Sequence, residues 1–189
     1  MTSEALEVTR RVVAVLEELG IDYYVGGSLA SSFHGIPRST LDADIVVDLL
    51  PGHIPPLIER LSRDFYVDQE RAWEALAHRS SFNAIHLGTM FKVDLFMLKQ
   101  TPLAREEMAR RQSLELGETK LQFSSPEDTI LEKLTWFQLG GGVSDRQWMD
   151  ILGVLKVQNR RLDLDYLQKW AAAHGLSTLL EKAMREVDF

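Results

Sequence analysis

Two aspartates, Asp42 and Asp44, stand two residues apart in the run Asp42-Ala43-Asp44-Ile45-Val46-Val47, and a third, Asp94, interrupts the apolar stretch Phe91-Lys92-Val93-Asp94-Leu95-Phe96-Met97. In a β-strand the side chains of residues i and i+2 leave the same face. Asp42 and Asp44 therefore project together, while Ala43, Ile45 and Val47 turn the other way into a core. A divalent cation is the physical reason to hold two like charges so close. Paired hard oxygens suit Mg²⁺, which keeps several waters and takes one or two carboxylates plus substrate phosphates. Asp94, the one acid inside a strand able to pair beside the first, supplies the third carboxylate of a site for two Mg²⁺ ions. Mn²⁺ is the alternative ion for the same metal ligands, Asp42, Asp44 and Asp94. Asp94 is also placed to accept a proton.

Upstream of the paired acids, Tyr23, Tyr24 and Val25 are β-formers that run into Gly26-Gly27-Ser28, and Leu29 to Phe33 continues with small and apolar residues. That pattern predicts strand, tight turn and short buried helix. Glycine at such a turn lets backbone approach an anion without a Cβ in the way, and the free amides of the helix start can hold phosphate oxygens together with a hydroxyl. Gly27 and Ser28 are thus candidates for binding the β and γ phosphates of a nucleoside triphosphate. Arg38 either neutralises charge developing near those phosphates or pins its loop to Asp42. Other phosphate and metal motifs are excluded: there is no Gly-Lys-Ser/Thr, no G-x-G-x-x-G, and apolar residues follow Asp44 where a calcium loop would need ligands.

A glycine-serine turn, a gap, Asp-x-Asp followed by apolar residues, and a later apolar-Asp-apolar strand together resemble the polymerase-β-type nucleotidyltransferase superfamily. Within it, Gly26-Gly27-Ser28-Leu29-Ala30 followed by Arg38-Ser39-Thr40-Leu41-Asp42-Ala43-Asp44 is similar to the AbiEii-type toxin nucleotidyltransferases, where Arg-x-Thr-x-Asp-x-Asp is usual. The resemblance spans residues 20 to 150. It implies metal-dependent transfer of a nucleoside monophosphate from a triphosphate such as ATP to an acceptor. It also implies a lysine on the first helix of a helical part, meeting the triphosphate, and an acid on the next. Lys133 in Leu131-Glu132-Lys133-Leu134 is the counterpart of the lysine. The family's Lys-Asp-x-x-Asp is replaced here by Asp145-Arg146-Gln147-Trp148-Met149-Asp150, so either Asp145 or Asp150 corresponds to the acid; Asp150 is taken with Lys133 into the catalytic set. By the same resemblance the acceptor is an RNA, foremost the tRNA 3′ end, the protein is the toxin of a toxin-antitoxin system, and a cognate antitoxin is a partner. Arg38, Lys92 and Lys133 would then lie near the acceptor's phosphates. Two alternatives stay open: a small-molecule transferase acting on an antibiotic hydroxyl, and a catalytically silent nucleotide-binding or antitoxin-like protein.

Composition bounds these options without choosing among them. The 189 residues are 45% hydrophobic, enough to bury a substantial core. No apolar run approaches the ~18 residues that span a bilayer, and the acids near the N-terminus do not suit a secretory signal, so no membrane partner and a cytoplasmic location are expected. Zero cysteines exclude disulfides and thiolate metal sites, and the five histidines lack paired ligand spacing. A net charge of −7 argues against broad nonspecific binding of nucleic acid while leaving room for a local basic patch.

The positioning elements follow from periodicity. Residues 4–19 repeat apolar side chains at helical spacing and end at Gly20, Pro55 and Pro56 open a helix, and 65–67, 82–87 and 91–97 read as strands, the last two antiparallel neighbours. Thr101-Pro102 caps a helix, Leu116-Gly117-Glu118-Thr119 joins a hairpin ending at Phe123, and helices then take over from Ser125-Pro126, with further starts at Ser144, Asp163 and Ser177. Trp136, Trp148 and Trp170 are expected in the helical core. The expectation is an α+β fold: a nucleotidyltransferase-like mixed β-sheet with flanking helices over residues 1–123, then a C-terminal helical layer over 124–189.

Overall fold

The computed structural model describes residues 4–116 and 119–188, so the expected turn at Gly117 and Glu118 lies outside the described residues. The chain divides into two compact units, Met1–Gly26 with Thr40–Phe123 and Gly27–Ser39 with Ser124–Phe189. Residues 27–39, which precede the paired aspartates, thus belong with the C-terminal helices.

The first unit holds a mixed seven-stranded sheet in the order β3-β4-β5-β2-β1-β7-β6, from β1 (Tyr23–Val25), β2 (Asp42–Val47), β3 (Phe65–Val67), β4 (Ser81–His86), β5 (Lys92–Met97), β6 (Gln112–Leu116) and β7 (Thr119–Phe123). β2 runs parallel to β5 and antiparallel to β1; β4 pairs antiparallel with β5, and β6 with β7. The strict alternation in β2 and β5 separates the two faces. Ala43, Ile45, Val47, Val93, Leu95 and Met97 are buried, whereas their neighbours Asp42, Asp44, Val46, Lys92, Asp94 and Phe96 are only partly covered.

Helix α1 (Glu4–Glu18) lies on the buried face, presenting Val8, Val12, Val13 and Leu16 at helical spacing. The Tyr23 hydroxyl, on the strand partner of Val47, donates to Glu17 of that helix at 2.8 Å. α3 (Ile54–Leu61) packs beside it through Leu57 and Leu61. On the opposite face Tyr24, Leu98 and Val46 cluster with Ala104 and Met108 of α5 (Pro102–Arg110). α5 therefore covers the Val46 end of that face, and the aspartates stand further along the same strand. α4 (Gln69–His78) completes the unit, capped by Asp68, whose carboxylate accepts from the N–H groups of Glu70 and Arg71.

The second unit is helical: α2 (Gly27–His34), α6 (Pro126–Leu139), α7 (Asp145–Gln158), α8 (Leu164–Ala173) and α9 (Ser177–Glu186). Three helix starts are fixed by side-chain caps, since Ser125, Ser144 and Asp163 accept from the N–H groups of Asp128, Gln147 and Tyr166. Ser177 does not act this way. It is the first residue of α9, the cap position is Leu176 with no side-chain bond, and the start is set instead by Gly175 at φ +68° and the burial of Leu176.

α6 is the centre of this unit, with Ile130, Leu131, Leu134 and Phe137 buried. Trp170 is buried as expected, and Trp148 lies 5.0 Å from the Phe137 ring while its indole N–H donates to Glu186. Trp136 is a correction, being 50% exposed. It sits one residue before Phe137, about 100° round the helix from the buried stripe. Phe33 of α2 is likewise exposed at 43%, because that short helix buries its small face, Gly27, Ala30 and Ser31, together with His34. Among the described residues no helix is long and apolar enough to cross a membrane.

The small face of α2 continues into Gly35, where a Cβ would come within 2.7 Å of the Val154 amide nitrogen and 2.8 Å of the Gly153 carbonyl carbon of α7. Both atoms are backbone and cannot yield. Gly35→Ala is therefore expected to destabilise the protein by about 2 kcal/mol, measured by urea unfolding; an unchanged midpoint would contradict this close approach.

Candidate active site

In the sheet unit, the parallel register of β2 and β5 sets Asp42 opposite Lys92 and Asp44 opposite Asp94. Since i and i+2 share a face, the three carboxylates and the lysine form one four-membered patch, and β4 adds Asn83 opposite Asp94. Lys92 Nζ lies 2.7 Å from Asp94 Oδ2, with side-chain exposures of 42% and 18%. The bond to Asp94 raises the Lys92 ammonium above its usual range against some loss of hydration, and Asp42 and Asp44 add attraction. Thr40 steadies the first acid, its hydroxyl lying 3.0 Å from the Asp42 carbonyl and 3.1 Å from Asp42 Oδ1. The Gly26 N–H donates to the Asp44 carbonyl at 2.9 Å and fixes the backbone there.

As they stand, no three His, Cys, Asp or Glu side chains among the described residues converge closely enough to hold a metal ion. The donor chemistry nevertheless suits a hard cation. The acids are carboxylates from one face of two adjacent strands, and one of them already binds a cation in the form of the Lys92 ammonium. An ion using Asp94 Oδ2 would have to replace Lys92 there.

In the helical unit, Gly27 opens α2 at φ +55°, a conformation that side-chain-bearing residues adopt only with strain. Ser28 follows, and its Oγ accepts a 2.6 Å bond from Arg38 Nη2. The same guanidinium grips Asp150 in a two-pronged bond, Nε to Oδ1 at 2.7 Å and Nη2 to Oδ2 at 2.8 Å, and also donates to the Ser39 carbonyl. Lys133 Nζ approaches Asp150 Oδ2 at 3.0 Å, with both side chains at most 5% exposed. Of the two candidate acids, Asp150 is the one that meets Lys133, while Asp145 is exposed in the first turn of α7.

Burial opposes ionisation of Asp150, but the bonds from Arg38 and the charge of Lys133 outweigh it and hold the carboxyl below its ordinary value of 3.8. Two cations, Arg38 and Lys133, share the Asp150 carboxylate, and the Arg38 guanidinium also reaches the Ser28 hydroxyl. That hydroxyl uses its oxygen as acceptor and keeps its proton to donate. The arrangement suits an anion with several oxygens, such as a phosphate.

Several contributors had weak signals in the sequence. Lys92 could be read as an ion partner of Asp94 from its i−2 spacing, and Thr40 from its place two residues before Asp42. Asn83 carries no signal without the strand register. His34 is buried, donating from Nε2 to the Ser124 carbonyl at 2.7 Å, and burial keeps its pKa below the usual value despite that bond and Glu127; its role is to tie α2 to the start of α6.

No family model matches the chain, and comparison with curated proteins finds no match. Solved structures do resemble it. The antibiotic-resistance factor ANT(2″)-Ia has a TM-score of 0.60 at 13% identity, covering 95% of this chain and 96% of that one. The fold is nucleotidyltransferase-like. A nucleotidyltransferase-like antigenic protein from Paracoccidioides brasiliensis superposes with a TM-score of 0.59 at 21% identity, over 98% and 94% of the two chains. The lincosamide antibiotic adenylyltransferase LnuA, solved with lincomycin, gives 0.56 at 12% identity, over 82% and 98%.

Removing one partner of a buried ion pair leaves the other charge uncompensated. Asp150→Ala is expected to destabilise the protein by about 3 kcal/mol at pH 7. Because the folded carboxyl titrates below its unfolded value, its contribution is fully present above the ordinary 3.8 and is lost as pH falls through the lower folded value. The stability gap between wild type and variant, followed by urea unfolding, should accordingly narrow below about pH 4; a gap that widens on acidification would contradict the assignment.

Proposed function

We propose that the protein is a metal-dependent nucleotidyltransferase that moves a nucleoside monophosphate from a triphosphate to an acceptor. The observation that carries this is the register of β2 and β5, which sets Asp44 opposite Asp94 with Asp42 on the same face. Asp42, Asp44 and Asp94 would hold the divalent cations, Mg²⁺ or Mn²⁺. When bound, such ions polarise the α-phosphate and stabilise charge on the attacking and leaving oxygens.

The chain's own groups would do the rest. Ser28 would donate its hydroxyl proton to a phosphate oxygen, and the Gly27 turn would leave backbone amides uncovered for the same anion. Arg38 and Lys133 would supply positive charge to the triphosphate, both steered by Asp150, which fixes the guanidinium plane and the ammonium. Asp94 would accept the proton of the acceptor hydroxyl. The two cations on Asp150 would serve phosphate binding, and the carboxylates around Asp94 would serve cation binding.

For the acceptor we propose RNA, foremost the tRNA 3′ end, with the protein acting as the toxin of a toxin-antitoxin pair. The support is the Arg-x-Thr-x-Asp-x-Asp run and the placement of Lys133 on α6 and Asp150 on α7, a lysine on one helix and an acid on the next as the AbiEii-type resemblance expects. Two fold neighbours are antibiotic adenylyltransferases or resistance factors by name, and the net charge of −7 does not favour RNA. A small hydroxylated acceptor is therefore the reading that RNA must defeat.

Incubation with α-labelled triphosphates, Mg²⁺, total RNA and candidate small molecules separates the two. Label on RNA, with slowed growth that depends on Asp42, is expected; label on a small molecule alone, without a growth defect, would remove the toxin reading and leave the transferase. Asp42→Asn or Asp44→Asn should lower transfer by roughly a hundredfold or more with the fold intact, and wild-type rates at limiting Mg²⁺ would sink the metal assignment. Lys133→Ala should weaken triphosphate binding by roughly tenfold, and unchanged affinity in a folded variant would remove Lys133 from the site.

A further inference from the structure

Of the four ionic side chains on the shared face of β2 and β5, three are acids and the fourth is Lys92. We propose that Lys92 is a built-in competitor for the divalent cation, occupying Asp94 until an ion displaces it and thereby setting how tightly the nucleotide-free protein binds metal. This rests on the cation-binding role proposed above for Asp42, Asp44 and Asp94.

The geometry points to competition rather than to a structural pair. Lys92 stands opposite Asp42 across the parallel ladder and two residues before Asp94, so its stem rises among all three carboxylates. Its ammonium takes Asp94 Oδ2 at 2.7 Å, one of the two oxygens through which Asp94 can ligate a hard cation. Among the described residues no three His, Cys, Asp or Glu side chains converge on a common point. The lysine is also built to leave. Its side chain is 42% exposed, the stem is flexible, and a half-exposed ion pair contributes little to stability, so exchange costs little.

Its charge remains on the same face after exchange and opposes the incoming ion. Three carboxylates and one ammonium leave a net charge of −2 in the patch, against −3 without the lysine. Removing the lysine should therefore raise affinity for the ion, and replacing it with another cation should not.

The test is titration of the full chain with Mn²⁺ alone, free ion being read by electron paramagnetic resonance, for wild type, Lys92→Met and Lys92→Arg, with circular dichroism confirming each fold. Lys92→Met is expected to bind Mn²⁺ roughly tenfold more tightly, Lys92→Arg close to wild type, and Asp94→Asn combined with Lys92→Met to lose the gain. Wild-type binding with an unchanged or weaker Lys92→Met would overturn the role of Lys92 while leaving the carboxylates as ligands. No binding to either protein would overturn both that ligand role and this inference.

Discussion

Mutual repulsion among three carboxylates on one sheet face is the constraint on which the sheet unit depends. Asp42 and Asp44 share a face of β2, and the parallel register brings Asp94 beside Asp44. A fold selected for stability alone would place apolar or neutral polar side chains there, as it does at Val46 on the same face of the same strand, where α5 covers the sheet. The acids are tolerated because the opposite face is fully apolar, with Ile45, Val47, Val93 and Leu95 essentially inaccessible and packed beneath α1. Burial of that face, at roughly 25 cal/mol per Å², anchors both strands, and the Lys92 ammonium offsets part of the remaining charge.

The helical unit answers the opposite problem. Lys133 is almost wholly buried on α6, where an unpaired ammonium would be costly, and Asp150 from α7 meets it together with the Arg38 guanidinium. A single carboxylate orients both cations, and the Ser28 hydroxyl extends from the same guanidinium. Such a cluster is a poor means of stabilising a helix pair, because well-packed apolar residues would serve at least as well.

Much of the framework was legible in the sequence because it rests on local rules. Period-two alternation placed Asp42 and Asp44 on one face, and Thr101, Ser125, Ser144 and Asp163 announced their helices through the caps that the structure bears out. The antiparallel pairing of β4 with β5 followed from a short connection, as did the hairpin of β6 and β7. What local rules do not carry is the register between strands far apart in the chain, so neither the Asn83 and Asp94 pair nor the Lys92 and Asp42 pair could be derived. The choice of Asp150 over Asp145 needed the packing of α6 against α7, since both acids sit on the same helix at comparable sequence positions. Trp136 and Phe33 were misplaced for a single reason: a large aromatic suggests a core, but its position round the helix axis decides, and both lie off the buried stripe.

The central claim is that the α-phosphate, rather than the terminal phosphate, is the group transferred. It is tested most directly with one triphosphate labelled at the α position and another at the γ position, incubated with the full chain, Mg²⁺ and acceptor. The account predicts α label on the acceptor and γ label released as pyrophosphate in equal amounts, both requiring the divalent cation. Label from the γ position on the acceptor, or release of orthophosphate without any α label transferred, would contradict it.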